Sequence, residues 1–310
     1  VADVRDPHAV GEAVAGARQV FHLAAQAGTA PSLRDPVADF DINARGTLNI
    51  LEAIRRLGER PPLVYTSSSR VYGDLDDLSV VELATRYAPA DGHLAASGIS
   101  ESRPLSPSAP CACSKSAADQ YVIDYGRTFG LPAVALRVSC VYGPFQRGDE
   151  DQGWIAQVML AAALHDTVTI FGDGKQVRDV LFIDDLVRAL VVAAARAPEL
   201  AGQAFNVGGG PHNTTTPIEL IALCRELMGG QPQPQLRYAV WRAHDPRYYV
   251  SSIARFHAAT GWSPKVDMRS GLVRLHTWLE RNLVPALRQR RARLRGGGDA
   301  TAAAGGRKIG

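Results

Sequence analysis

Short apolar runs alternate with longer amphipathic stretches along most of this chain, and that alternation limits the fold more than any other feature. Residues 19–23, 63–67, 134–139 and 204–207 read as buried strands. Between them, 37–57 and 113–129 carry apolar side chains at helical spacing. Strands that are apolar on both faces belong in a parallel sheet covered by helices, so the pattern predicts a doubly wound α/β fold. After Gly143 the texture changes. A loop is expected to Gln152, a helix over 154–165, a strand over 168–171 and a strand turning into a helix over 180–197. Helices near 217–228 and 268–282 close the fold, and no internal repeat is visible. At the other end, 1–6 reads as the end of a strand and 7–15 as a helix.

With 310 residues, 46% hydrophobic and 21% charged, the chain can bury one large core or two modest ones. No apolar run approaches the roughly 18 residues needed to cross a membrane, and no signal peptide is recognisable, so no membrane partner is expected. Cys111, Cys113, Cys140 and Cys224 fit neither a zinc site nor a disulfide framework. That predicts no metal and a reducing, cytoplasmic setting. The formal charge of +3 conceals an uneven distribution. Arg288, Arg290, Arg291, Arg293, Arg295, Arg307 and Lys308 face Asp299 alone, so the body of the chain is acidic. This end reads as a solvated, frayed tail rather than a nucleic-acid patch.

Four stretches carry the chemistry. Tyr65-Thr66-Ser67-Ser68-Ser69-Arg70-Val71-Tyr72-Gly73-Asp74 places hydroxyls at the carboxyl end of a strand. Cys111 and Lys115 lie four residues apart on a helix, within Pro110-Cys111-Ala112-Cys113-Ser114-Lys115. Arg137-Val138-Ser139-Cys140-Val141-Tyr142-Gly143-Pro144 ends another strand, and Gly172-Asp173-Gly174-Lys175-Gln176-Val177-Arg178-Asp179 forms a turn followed by a basic residue. Together these resemble the extended short-chain dehydrogenase/reductases, the NAD-dependent epimerases and dehydratases of nucleotide sugars. The Tyr-x-x-x-Lys site of that family is matched at Lys115, but Cys111 replaces the general acid/base tyrosine.

The resemblance implies a Rossmann-like domain over 1–142 and 176–209, a smaller α/β substrate domain over 143–175 and 210–286, and a disordered basic tail over 287–310. It implies NAD as cofactor, a nucleoside-diphosphate sugar as partner, and allows a homodimer. By the same resemblance Ser68, Cys111 and Lys115 would be catalytic. Asp3, Val4, Ala24, Ala25, Ser67 and Lys115 would hold the cofactor, Asp3 and Val4 at its adenine and the small Ala24 and Ala25 beneath its ribose. Ser69, Cys140, Arg178 and Arg247 would hold the substrate, with Arg178 and Arg247 on its diphosphate. Asn43-Ala44-Arg45-Gly46-Thr47 resembles the central-helix element, where Gly46 allows close helix–sheet packing.

Within the family, Cys113-Ser114-Lys115, Asp151-Gln152-Gly153-Trp154, Gly174-to-Leu181 and the long insertion between Gly73 and Pro110 resemble the CDP-paratose (CDP-tyvelose) 2-epimerases. Two departures bear on activity. Family dehydratases carry an Asp-Glu pair after the strand-end hydroxyl, where Ser69-Arg70 stands here. Cys111 could become a thiolate beside Lys115, since a thiol ionises near pH 8.5, but its sulfur falls ångströms short of a phenol oxygen. The readings left open are an epimerase, a dehydratase or lyase with cysteine adapted to elimination, and a sugar-nucleotide binder without activity. No glycine-rich strand–turn–helix for a pyrophosphate is found near the beginning. Relative to the family, about two strands and two helices are expected to be missing, as in a fragment.

Overall fold

The computed structural model describes residues 2–26, 28–148, 152–230, 234–291 and 293. The chain runs through helix α1 (Pro7–Val14), strand β1 (Val20–His22) and the short helices α2 (Thr29–Arg34) and α3 (Pro36–Phe40). A π-helical turn (Asp41–Arg45) leads into α4 (Gly46–Arg55), then β2 (Leu63–Ser68) and a 3-10 turn (Ser69–Tyr72). The insertion holds a hairpin of β3 (Val80–Glu82) and β4 (Tyr87–Pro89) and helix α5 (Gly92–Ser97). Next come α6 (Pro110–Thr128), β5 (Ala133–Val138), β6 (Cys140–Tyr142), α7 (Trp154–Leu164) and β7 (Thr167–Phe171). After β8 (Val177–Phe182) follow α8 (Ile183–Ala195), α9 (Ala197–Leu200), β9 (Gln203–Val207), β10 (Thr214–Thr215) and α10 (Pro217–Leu227). The chain continues through β11 (Gln235–Ala239), β12 (Tyr248–Tyr249), α11 (Ala254–Thr260) and α12 (Met268–Asn282).

Strands β1, β2, β5 and β9 pair in that order, all parallel, with Leu63 opposite Val20 on one side and Ala133 on the other. The two-residue period of a strand decides which helix layer each side chain meets. Leu63, Tyr65, Ala133 and Ala135 pack with Leu51 and Ile54 of α4 and Val122 of α6. Val64, Val134 and Leu136 pack on the other face with Leu186 and Leu190 of α8 and with Phe256 and Trp262. The sheet is therefore covered on both sides, the doubly wound Rossmann-type architecture. Wholly buried side chains such as Leu51 and Ile54 each stabilise it by about 1.5–3 kcal/mol.

A second sheet orders β10, β8 and β12, with β6 also paired to β8, and β11 lies parallel to β7. Its core joins Ile155 and Met159 of α7 to Leu220 of α10 and to Leu272, Leu275 and Leu279 of α12. Among the described residues no helix is long and apolar enough to cross a membrane.

Two expectations are corrected. Residues 2–6 are not the end of a strand: the Asp6 amide bonds back to the Asp3 carbonyl at 3.1 Å in a turn, and β1 pairs only with β2 among the described strands. A strand there would have no ladder partner. The end of the chain is not a free tail throughout, because 287–291 are helical. Arg288 donates to the Ala163 carbonyl at 2.9 Å, and Arg291 to the Leu164 carbonyl at 3.3 Å and to Asp166. The last carbonyls of α7 lack intrahelical partners and attract cations, and these arginines meet that need. Residues 294–310, the rest of the expected tail, lie outside the described residues.

Candidate active site

Strand β2 ends on its hydroxyls because Val71 and Tyr72, just beyond, are pulled wholly into the core. The Ser68 hydroxyl accepts from the Arg70 amide at 3.2 Å and caps the 3-10 turn. Its own proton meets no acceptor among the described residues. Ser69 is half-buried in the same turn. Ser67 is buried, and its hydroxyl has no hydrogen-bond partner among the described residues.

Helix α6 delivers Lys115 to the same strand end. Its Nζ donates to the Thr66 carbonyl at 2.9 Å and lies 4.9 Å from the centre of the Tyr65 ring. Burial pulls the amine down to about 8, with the Asp39 carboxylate opposing the shift. Asp39 is wholly buried. Burial pushes its carboxyl up, against hydrogen bonds from Ser114 (2.5 Å) and Asn43 (3.2 Å). Cys111 is buried one turn before Lys115, and its Sγ lies 3.9 Å from Thr29 Oγ1 of α2.

Asn43 is a residue that sequence reasoning passed over. The π-helical turn, one extra residue in the helical register, presents its amide to the loop after β1. Asn43 Oδ1 accepts from the Gln26 amide at 2.9 Å, and Nδ2 donates to the Gln26 carbonyl at 3.1 Å and to Ser114 at 3.0 Å. This clamp holds the loop carrying Ala24, which is exposed, and Ala25, which is half-buried. Beneath it His22 is buried against Thr47 at 2.9 Å, and burial, helped by the charge of Lys115, pulls its imidazole down to about 3. It is neutral at physiological pH. The Asn-x-x-Gly-Thr element was the available signal, read only for its glycine. Gly46 is closely packed, though against the turn at residues 3–6 rather than the sheet: a Cβ there would stand 2.7 Å from Val4 Cγ2.

Asp3 and Val4 lie apart from this cluster. Arg5 wraps the Asp3 carboxylate, with Nη2 at 2.6 Å, and that hydrogen bond holds the acid down near 2. Val4 accepts from Asn49 at 2.9 Å through its carbonyl and, with Asp3, Val20 and Phe21, lines an apolar cavity at the outer edge of β1.

Of the four residues expected to hold substrate, Cys140 and Arg178 line a trough of two cavities, and Ser69 lines neither. One cavity of about 150 Å³ is walled by Cys140, Trp154, Gln176 and Arg178. A second of about 270 Å³ is walled by Thr29, Ala30 and Leu33. Cys111 touches Thr29 but lines neither cavity. The two cavities share Arg70, Phe171, Arg242 and Asp245. Burial pushes the Cys140 thiol up. Arg178 is paired with Asp245 at 2.5 Å and donates to the Val177 carbonyl at 2.7 Å. Arg247 does not join it: its guanidinium sits 5.5 Å from the Tyr87 ring and lines a different cavity, with Asp74 and His244. Its cavity shares Arg242 and Asp245 with the one that Arg178 lines, so the two arginines stand in neighbouring cavities rather than side by side. Tyr87 of the insertion draws Arg247 aside, and Asp245 already occupies Arg178.

Comparison with known proteins gives the family. Residues 1–208 match the NAD dependent epimerase/dehydratase family. CDP-paratose 2-epimerase of Salmonella typhi is 37% identical over 265 residues, covering 83% of this chain and 76% of that protein. A dTDP-glucose 4,6-dehydratase of Neisseria meningitidis is 30% identical, over 84% and 71% of the two chains. The crystal structure of a Thermus thermophilus UDP-glucose 4-epimerase with NAD superposes with a TM-score of 0.75 at 30% identity, covering 91% of this chain and 84% of that one.

The residues present fit the nicotinamide end of such a cofactor. The orphaned Ser67 hydroxyl and the Lys115 amine lie at the end of β2, and the small Ala24 and Ala25 follow the end of its parallel neighbour β1. Among the described residues, no glycine-rich turn joins a strand to a helix where a pyrophosphate would rest.

Proposed function

The chain belongs to the NAD-dependent epimerase/dehydratase family, and from that premise we propose that it epimerises a nucleoside-diphosphate sugar by transient oxidation of one carbon and hydride return. One observation carries the reading: the Lys115 amine bonds the Thr66 carbonyl at the end of β2, where Ser68 also stands, and Arg70, two residues beyond Ser68, walls the same cavity as Arg178 and Cys140. NAD, when bound, supplies a reversible hydride acceptor. The protein's share is to bind, orient and move protons. Ser68 donates to the reacting sugar oxygen, and Lys115, partly desolvated, holds a ribose hydroxyl and favours ionisation of the acid/base group. Asn43 fixes the loop beneath the cofactor. The four-stranded sheet carries the cofactor and the second sheet the substrate, with divisions near 142, 175 and 209. Relatives acting on CDP- and dTDP-sugars support the substrate class. Four free cysteines support a cytoplasmic setting, and exposed Val37, Phe40 and Tyr121 on α3 and α6 support a homodimer.

A second reading, a sugar-nucleotide binder without turnover, is favoured by Cys111, which is buried and lines neither cavity of the trough. Acid release of any dinucleotide from the purified protein, followed by incubation with CDP- and UDP-hexoses, separates the two. Bound NAD with a new epimer supports the epimerase. Sugar-nucleotide binding with no product supports the binder, and no binding rejects both.

A further inference from the structure

Arg70 stands where family dehydratases carry an acid, and its surroundings give it a specific task. The Ser68 cap fixes the backbone of its turn, and the burial of Val71 and Tyr72 leaves the Arg70 side chain facing out. There it walls both cavities of the trough. Its guanidinium makes no hydrogen bond or ion pair to any described residue. Arg178, on the same wall, is occupied by Asp245 and the Val177 carbonyl, and Arg247 lies in another cavity. A guanidinium does not release its proton near neutral pH, so it cannot serve as an acid or base. Its use inside a binding trough is as a planar fork of donors matched to an oxyanion.

We propose that Arg70 binds an oxyanion of the nucleotide sugar, either its diphosphate or a carboxylate on the sugar ring, and so sets which sugar nucleotides are accepted. The inference rests on the sugar-nucleotide reading of the trough. An acidic residue at this position could abstract a carbon-bound proton from the sugar. Arg70 cannot, and instead favours an anionic ligand.

The test is calorimetry of the whole protein with CDP, UDP, UDP-glucose and UDP-glucuronate, using Arg70→Ala and Arg70→Lys. Because Arg70 holds no other residue, both variants should melt with the parent. Arg70→Ala should bind about tenfold to a hundredfold more weakly, the range for one charge-assisted partner, with Arg70→Lys in between. Weakening with the bare diphosphates assigns the diphosphate. Weakening confined to UDP-glucuronate assigns the ring carboxylate. Parental affinity of Arg70→Ala for every ligand overturns the inference and leaves the proposed function standing. Absence of binding by the parent to any of the four removes the sugar-nucleotide reading, and this inference with it.

Discussion

Asp119→Ala should be the most damaging single truncation near the site. Asp119 lies one turn beyond Lys115 on α6 and is wholly buried; Arg137 of β5 is only 5% exposed. The two form a bidentate pair, Nε to Oδ1 at 3.1 Å and Nη2 to Oδ2 at 2.8 Å. Arg137 also donates to Tyr72 Oη at 3.1 Å, and Tyr72 donates in turn to Asn206 at 2.8 Å. Removing Asp119 strands a guanidinium that the fold cannot hydrate. Breaking a buried pair from one side costs about 3–5 kcal/mol, well above the ~1 kcal/mol of an exposed pair. At ~2–4 °C per kcal/mol for a domain of 150–250 residues, the melting temperature should fall by ~6–20 °C. Calorimetric melts of the parent, Asp119→Ala and the double variant Asp119→Leu/Arg137→Met read this directly, and the double variant should recover much of the loss. A fall under about 2 °C in Asp119→Ala would refute the view that this pair fixes α6, and with it Lys115, on the sheet.

Other outcomes follow from the same coordinates. Gly126→Ala should destabilise by several kcal/mol or abolish folding, because its Cβ would stand 2.3 Å from the Gly202 backbone nitrogen; a chemical-denaturation curve like the parent's would contradict this. Lys115 has its pKa lowered from 10.5 to about 8 in the folded protein, so between those values the unfolded chain binds more protons and this group makes stability rise with pH. Lys115→Met should remove that rise, and equal pH slopes for the two proteins above pH 8 would count against it. If Cys111 is a remnant, Cys111→Tyr should raise epimerase activity by ~10²-fold or more, since the phenol regains reach beside Lys115. If Cys111 is a recruited acid/base, Cys111→Tyr and Cys111→Ser should both lower turnover, and indifference to both excludes proton transfer at this position.

Strands β2, β5 and β9 were legible because each carries an apolar run buried on both faces, and α6 because Ala118, Val122 and Tyr125 recur at helical spacing. Lys115 at the end of β2 was legible through its motif. Less so were features set by contacts distant in sequence. The insertion's hairpin and α5 have no apolar period, and α5 buries no residue. The capture of Arg178 by Asp245 spans 67 positions, and the docking of Arg291 on the end of α7 spans 127. Composition presents those side chains only as cations. The Asn43 clamp depends on a π-helical turn, whose one-residue slip leaves no mark in a hydrophobic pattern.

The central claim, oxidation and hydride return at one sugar carbon, is tested most directly by running the reaction in D₂O and following it by ¹H NMR. CDP-paratose, with UDP-glucose alongside, is incubated with the protein and NAD. The account predicts a second epimer with protium retained at the inverted carbon, because the hydride leaves and returns without meeting solvent. Deuterium at that carbon, or a dehydrated ketosugar as the product, would contradict it.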